Sequence, residues 1–315
     1  MNPRRAANLR NVSGRVVVLG SVNLDVVTEV AALPGAGETV IATAVRRNVG
    51  GKGANQAVAA HLLGADVTLV ARVGDDPNSA WLRTGLAGTG LDVSAVRPVP
   101  GRVAGTAYIA VAAGENTIIV DPGANHAWAG GLGDDVGAVE AAWVLVLQQE
   151  VPPTINELAV GTTRARVVLN AAPSAAVPPG LLERCDPLVV NAHELADQSG
   201  YPDLAAADLP VDAVFAAMSE LLHRGALSVV TTLGARGAAW AGAGGSGLVD
   251  AVAVEAVDST GAGDAFVGAL AVELSDGVSL PDAVRWAAGA ASASVRAPGT
   301  HASYPDRAAV RALLG

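Results

Sequence analysis

The segment Asp258-Ser-Thr-Gly-Ala-Gly-Asp264-Ala-Phe follows a strand-like run, Ala251 to Val257, and opens an apolar helical stretch. Glycines at a helix start leave backbone N–H groups converging on one spot, at the positive end of the helix dipole. That is an anion hole suited to phosphate. Asp264 sits at its mouth, where a carboxylate repels a phosphate ligand. It fits a base that takes the proton from a hydroxyl attacking that phosphate. The same residue would serve equally to stabilise a helix N-terminus.

A second glycine cluster, Asn48-Val-Gly-Gly-Lys52-Gly-Ala-Asn55-Gln56, also enters a helix. No Ser or Thr follows the lysine, so it is not a Walker A loop, and it is not GxGxxG. Successive glycines admit a ligand close to the backbone, and Lys52 and Asn55 offer donors to several hydroxyls. The alternative is a tight turn that caps a helix. Lys52 is the only lysine in the chain, beside 19 arginines. Its retention in the tightest glycine cluster suggests a place that a guanidinium does not fit.

Three further segments carry polar groups at the ends of strand-like runs. Gly20-Ser-Val-Asn23-Leu-Asp25 could hold a polyol through side-chain hydrogen bonds, or form an Asx turn. Asn191-Ala-His-Glu194 could bracket a hydrated Mg²⁺ on nucleotide phosphates, or be an N-cap with its capping-box acid. Thr232-Leu-Gly-Ala-Arg-Gly237 reads as a hairpin turn or as a loop against a nucleotide.

The elements that must position these residues alternate along the chain. Strands are expected at 15–19, 66–71, 143–147, 167–169, 188–190 and 228–232. Helices are expected at 53–63, 77–87, 154–161, 211–223, 263–274 and 281–295. Alternation argues for a mostly parallel sheet with helices on both faces. The early runs Val26 to Val30, Glu38 to Arg46, Thr106 to Ala112 and Asn116 to Val120 do not fit it, and suit a small separate sheet that could act as a lid. Gly242 to Gly247 reads as a hairpin connection and Gly200 to Pro210 as a surface loop.

The chain has 315 residues, a net charge of −10 and 51% hydrophobic residues, with only 3% aromatics. Its core must therefore be built from Ala, Val and Leu. The acidic balance opposes nucleic acid and anionic membranes as partners. A lone cysteine, Cys185, cannot form an internal disulfide, and no local histidine would activate it. Residues 1–14 read as a flexible extension without a secretory or membrane-spanning run, and a cytoplasmic location is expected.

Together these segments resemble the PfkB/ribokinase family of carbohydrate kinases from Val16 to about Pro305, the GAGD and GGKGANQA segments being the most specific. Pro34-Gly-Ala-Gly-Glu-Thr-Val40, Gly74-Asp-Asp76, Pro122-Gly-Ala-Asn125 and Asn170-Ala-Ala-Pro173 look most like its ribose-phosphorylating members. The resemblance implies a three-layer α/β/α sandwich over residues 15–315, with a lid from about 26–46 and 101–120. It implies ATP-dependent phosphorylation of D-ribose at O5, with fructose, deoxyribose or a nucleoside such as adenosine as alternative acceptors and a non-catalytic sensor as the remaining reading.

The resemblance also assigns roles. Asp264 would be the base, and the N–H groups of Gly261, Ala262, Gly263 and Asp264 would hold the charge on the transferred group. The sugar would meet Asn23, Asp25, Gly51, Lys52, Gly53, Asn55 and Glu150. ATP would lie along Asn191, Thr232, Leu233, Gly234, Ala235, Arg236, Gly237 and Gly263. Ala288 would face the adenine, where family members often carry Asn or His. Glu194 would approach Mg²⁺ through water. An activating K⁺ would be held at Asp258, Thr260, Ser294, Ala297, Gly299 and Ser303. Two lids would clasp to form a homodimer.

Overall fold

The computed structural model describes residues 14–112, 115–201 and 210–315. The expected N-terminal extension and most of the loop at 200–210 lie outside them. Nine strands form one sheet: β1 (Val16–Leu19), β4 (Val67–Gly74), β5 (Val96–Val99), β8 (Val144–Gln148), β9 (Arg166–Asn170), β10 (Cys185–Asn191), β11 (Ser228–Thr232), β12 (Ala238–Gly242) and β13 (Gly245–Val249). Their order is β13-β12-β11-β10-β9-β8-β1-β4-β5. All pairs from β11 to β5 are parallel, and the β12–β13 hairpin closes one edge antiparallel. The central strands are buried on both faces, which explains their unbroken Val and Leu runs.

Alternate residues of β1 feed two cores. Val16 and Val18 pack with α1 (Lys52–Leu62), α2 (Pro77–Gly88), α8 (Ala262–Ser275), α9 (Leu280–Ser294) and α10 (Arg307–Leu314). Val17 and Leu19 pack on the other face with α3 (Val136–Glu140), α4 (Pro153–Thr162), α5 (Pro179–Leu182), α6 (Ala192–Ser199) and α7 (Val211–His223). Small residues let the helices approach closely. A methyl group on Gly268 of α8 would stand 2.7 Å from Ala59 of α1. This contact brings the N-termini of α1 and α8 together, and with them both glycine clusters.

A second sheet has the order β3-β2-β6-β7, from β2 (Asn23–Glu29), β3 (Ala44–Gly50), β6 (Gly105–Ala112) and β7 (Glu115–Asp121). Its middle pair, β2 with β6, is parallel, and its outer pairs are antiparallel. Two expected strands are corrected. Pairing begins at Ala44 rather than Glu38, and residues 251–257 form no strand. Cys185 is buried, with its thiol pushed up to about 12 by burial and by Asp186, as an inert thiol should be. No described helix is long and apolar enough to cross a membrane.

Candidate active site

The carboxyl ends of the parallel strands meet the N-termini of α1, α6 and α8, where ligands of open α/β sheets bind. A cleft of about 150 Å³ opens there, lined by Lys52, Asn170, Asn191, Glu194, Thr232, Gly261, Gly263 and Asp264 among others. Asp264 lies in the first turn of α8, after Gly261 at φ 76°. The backbone donors of that turn have no intrahelical partners. At Gly263 a Cβ would meet nothing within 4 Å. The Ala262 N–H donates to the Ser259 carbonyl at 3.2 Å, which leaves those of Gly263 and Asp264 to suit an anion.

Amide side chains hold the buried Asp264 carboxylate. Asn55 Nδ2 donates to Oδ2 at 2.9 Å, and Gln56 Nε2 donates to Oδ1 at 2.9 Å. Gln56 is fixed in turn, accepting from Gln148 Nε2 at 2.7 Å and donating to Asn170 Oδ1 at 3.1 Å. Burial raises the Asp264 pKa, against the opposing pull of Lys52 and these amide donors. A raised carboxyl with a free lone pair on each oxygen is equipped to receive a proton.

Beside it, Ser21, Asp25, Lys52 and Glu150 form a polar wall. Glu150 accepts from the Ser21 hydroxyl and from the Lys52 backbone N–H at 2.9 Å. Asp25 is pushed up to about 7 by burial, by Glu150 and by Asp264, with Lys52 opposing. Gly50 makes room for it, since a Cβ there would stand 2.0 Å from an Asp25 oxygen. Burial alone would lower the Lys52 pKa. Asp264, Glu150, Glu194 and Asp25 outweigh it and raise the pKa, keeping the ammonium charged. Asn23 is buried, and its Oδ1 accepts from Asn125 Nδ2 at 2.6 Å.

On the far side of the cleft, Asn191 and Glu194 complete a capping box at the start of α6. Glu194 accepts the Asn191 N–H at 2.8 Å, and burial raises its pKa. Capping and a role at the cleft are therefore compatible readings. Behind the anion loop, Asp258 joins two segments. It accepts from Thr260 N at 2.9 Å and Gly299 N at 2.8 Å. These bonds hold its pKa down against burial.

Residues 13–307 match the pfkB family of carbohydrate kinases. The chain belongs to the pfkB family. It is 34% identical over 306 residues to a ribokinase of Bacillus subtilis, covering 95% of this chain and 99% of that one. It is 33% identical over 300 residues to a deoxyribokinase of Salmonella typhi, covering 92% and 95%. Among solved structures, Arabidopsis thaliana ribokinase complexed with ribose and ATP superposes with a TM-score of 0.88 at 32% identity, covering 96% and 99%.

In this pfkB family member, Asp264, Lys52, Asn55, Asn191, Glu194, Thr232, Gly261 and Gly263 converge on one cleft region. Asp25, Glu150, Gly51 and Gly53 adjoin it at the start of α1. Gly234–Arg236 form a 3₁₀ turn between β11 and β12, flanked by Leu233 and Gly237. Of the cation positions, Asp258, Thr260, Gly299 and Ser303 are linked by hydrogen bonds. Ser294 and Ala297 flank Val295, whose carbonyl accepts from Val257 and Asp258. Ala288 is 4% exposed in α9 and, like Asp25, Glu150 and residues 233–237, is not among the residues lining that cleft.

Sequence reading passed over Gln56, Gln148, Asn125, His301 and Tyr304. Gln56 lies inside the glycine motif, and Asn125 inside a segment noted only for resemblance. His301 and Tyr304 gave no signal, because only the fold brings their loop to the site.

Proposed function

We propose that this protein is an ATP-dependent ribokinase that transfers the γ-phosphoryl group of ATP to O5 of D-ribose. The observation that carries this reading is the buried Asp264, held by two amides where the polar wall meets the anion loop. The sugar lies against Asn23, Asp25, Gly51, Lys52, Gly53, Asn55 and Glu150, with its primary hydroxyl at Asp264. Asp264 takes the hydroxyl proton as O5 bonds to the γ-phosphorus and the bond to the bridging oxygen breaks, releasing ADP. The N–H groups of Gly261 to Asp264 hold the charge on the transferred group. ATP runs from there along Asn191 and residues 232–237.

Among the described residues no cluster of three His, Cys, Asp or Glu could cage a metal. Mg²⁺ would be held chiefly by phosphates and water, with Asn191 and Glu194 alongside. It would offset charge where the Glu194 and Asp264 carboxylates line the cleft. K⁺ would lie beside the anion loop among Asp258, Thr260, Ser294, Ala297, Gly299 and Ser303. Two copies pair through their lids, and the enzyme works in the cytoplasm, where a lone thiol stays reduced.

The test is ADP release by the purified protein with ATP, Mg²⁺ and K⁺ across ribose, deoxyribose, fructose and nucleosides, with Asp264→Ala alongside. Ribose-dependent turnover that falls about 10²-fold or more in the variant is expected. Turnover with deoxyribose alone would move the substrate to that sugar, as the 33% identical deoxyribokinase makes a pointed alternative. Sugar binding without turnover would sink the kinase reading.

A further inference from the structure

Asn55 touches Asp264 with one end of its amide and His301 with the other. An ionised Asp264 can only accept, so the Asn55 nitrogen faces its Oδ2 at 2.9 Å. Asn55 Oδ1 then faces His301 Nε2, also at 2.9 Å, and the imidazole must carry a hydrogen there. His301 lies in the loop between α9 and α10, its ring tilted against Tyr304 with centroids 6.0 Å apart. Tyr304 donates its hydroxyl to the Gly261 carbonyl at 3.2 Å. One loop thus braces both the anion loop and the amide beside the base.

We propose that His301 is a positioning residue for phosphoryl transfer, fixing the Asn55 amide so that its NH₂ group stays against Asp264 throughout turnover. The inference rests on Asp264 being the base. While Asp264 is ionised, the carboxylate itself selects the NH₂ end of Asn55. Once it has taken the sugar proton, Asp264 becomes a donor, and an unrestrained amide would gain by turning its oxygen toward it. That flip would hold the proton on Asp264 and withdraw the second Asn55 N–H from the sugar. With His301 as its Nε2–H tautomer the flip leaves that N–H facing another donor, or forces the hydrogen over to Nδ1, so it is opposed. His301 touches neither sugar nor nucleotide in this scheme and acts only through Asn55.

The experiment compares His301→Ala, His301→Gln, Asn55→Ala, the double variant His301→Ala/Asn55→Ala, and Asp264→Ala, with melting temperatures measured for each. His301→Ala should lower kcat about tenfold, the worth of one oriented hydrogen bond, with KM for ATP within about twofold of the parent. His301→Gln restores a donor of similar reach and should recover most of kcat. In the Asn55→Ala background, loss of His301 should add nothing. Parental kcat in His301→Ala, or a Gln variant as slow as Ala at equal melting temperature, would overturn the inference while leaving the base intact. Full turnover by Asp264→Ala would overturn the base and the inference together.

Discussion

Asp25 shows how the polar wall stores an electrostatic conflict. Burial and two neighbouring carboxylates lift it to about 7, from an ordinary value near 3.8. Between those limits the folded protein keeps a proton that the unfolded chain has released. Stability therefore falls as pH rises from about 4 to 7 and levels off above. Asp25→Asn removes that dependence. Its melting temperature relative to the parent should climb between pH 5 and pH 8, by about 2 °C or more. Thermal denaturation at both pH values checks this, and a constant difference would mean that Asp25 is ionised in the fold throughout. Asp264 and Lys52 were legible because glycine spacing announces a ligand-facing backbone. Gln56, Gln148 and His301 were not. Their bonds span 92 and 246 residues of chain, and amide side chains impose no period on a sequence.

The helix N-termini α1 and α8 use glycine for opposite reasons. A methyl on Gly53 would stand 2.5 Å from Ser21 N and 2.7 Å from the Gly20 carbonyl carbon, both backbone atoms that cannot yield cheaply. Gly53→Ala should cost about 1–3 kcal/mol in chemical denaturation. A methyl on Gly263 meets nothing, and Ala favours a helix by about 0.5–1 kcal/mol. Gly263→Ala should therefore fold at least as well as the parent, while its methyl enters the cleft and raises KM for ATP about tenfold. Equal KM would place the phosphates elsewhere. Asp258 ties the loop before α8 to Gly299 beyond α9. Asp258→Ala should abolish stimulation by K⁺ over a bulky organic cation in the same assay, whereas persistent stimulation would exclude this loop as the cation site. The two misplaced strands have an element-scale cause. β3 pairs Ala44 to Gly50 because its partner β2 spans only Asn23 to Glu29, a limit that apolar spacing cannot reveal. Residues 251–257 alternate as a strand would, but Val257 and Asp258 bond the Val295 carbonyl at 2.7 and 3.1 Å instead of a neighbouring strand.

At the scale of the molecule, alternating strands and helices made six of the seven parallel strands legible, since buried parallel strands must read as apolar runs separated by helices, while the short edge strand β5, interrupted by Pro98, gave no such run. The lid was legible only as strands left over from that alternation. Its central parallel pair, β2 with β6, joins segments on either side of α1 and α2, so no local turn signals it. The same sheet turns apolar side chains to solvent. Every residue of β7 is exposed, and β7 is an edge strand. Paired residues share a face, which puts Tyr108 with Ile119 on one side and Ile109 with Ile118 on the side of Asp25. Ile119 is 68% exposed and Ile118 50%. Apolar side chains on both faces of a strand with an unpaired edge invite a second copy to cover them. The proposed lid-to-lid dimer would bury them and close each copy's polar wall from above. Sedimentation should give a dimer for the parent and a monomer for Ile118→Glu/Ile119→Glu, because a charge on each face is incompatible with a buried clasp. If the lids seal each other's sugar sites, the monomeric variant should also show a raised KM for ribose at unchanged melting behaviour of the nine-strand domain. A parent that sediments as a monomer, or a variant that stays dimeric, would remove the lid from the interface.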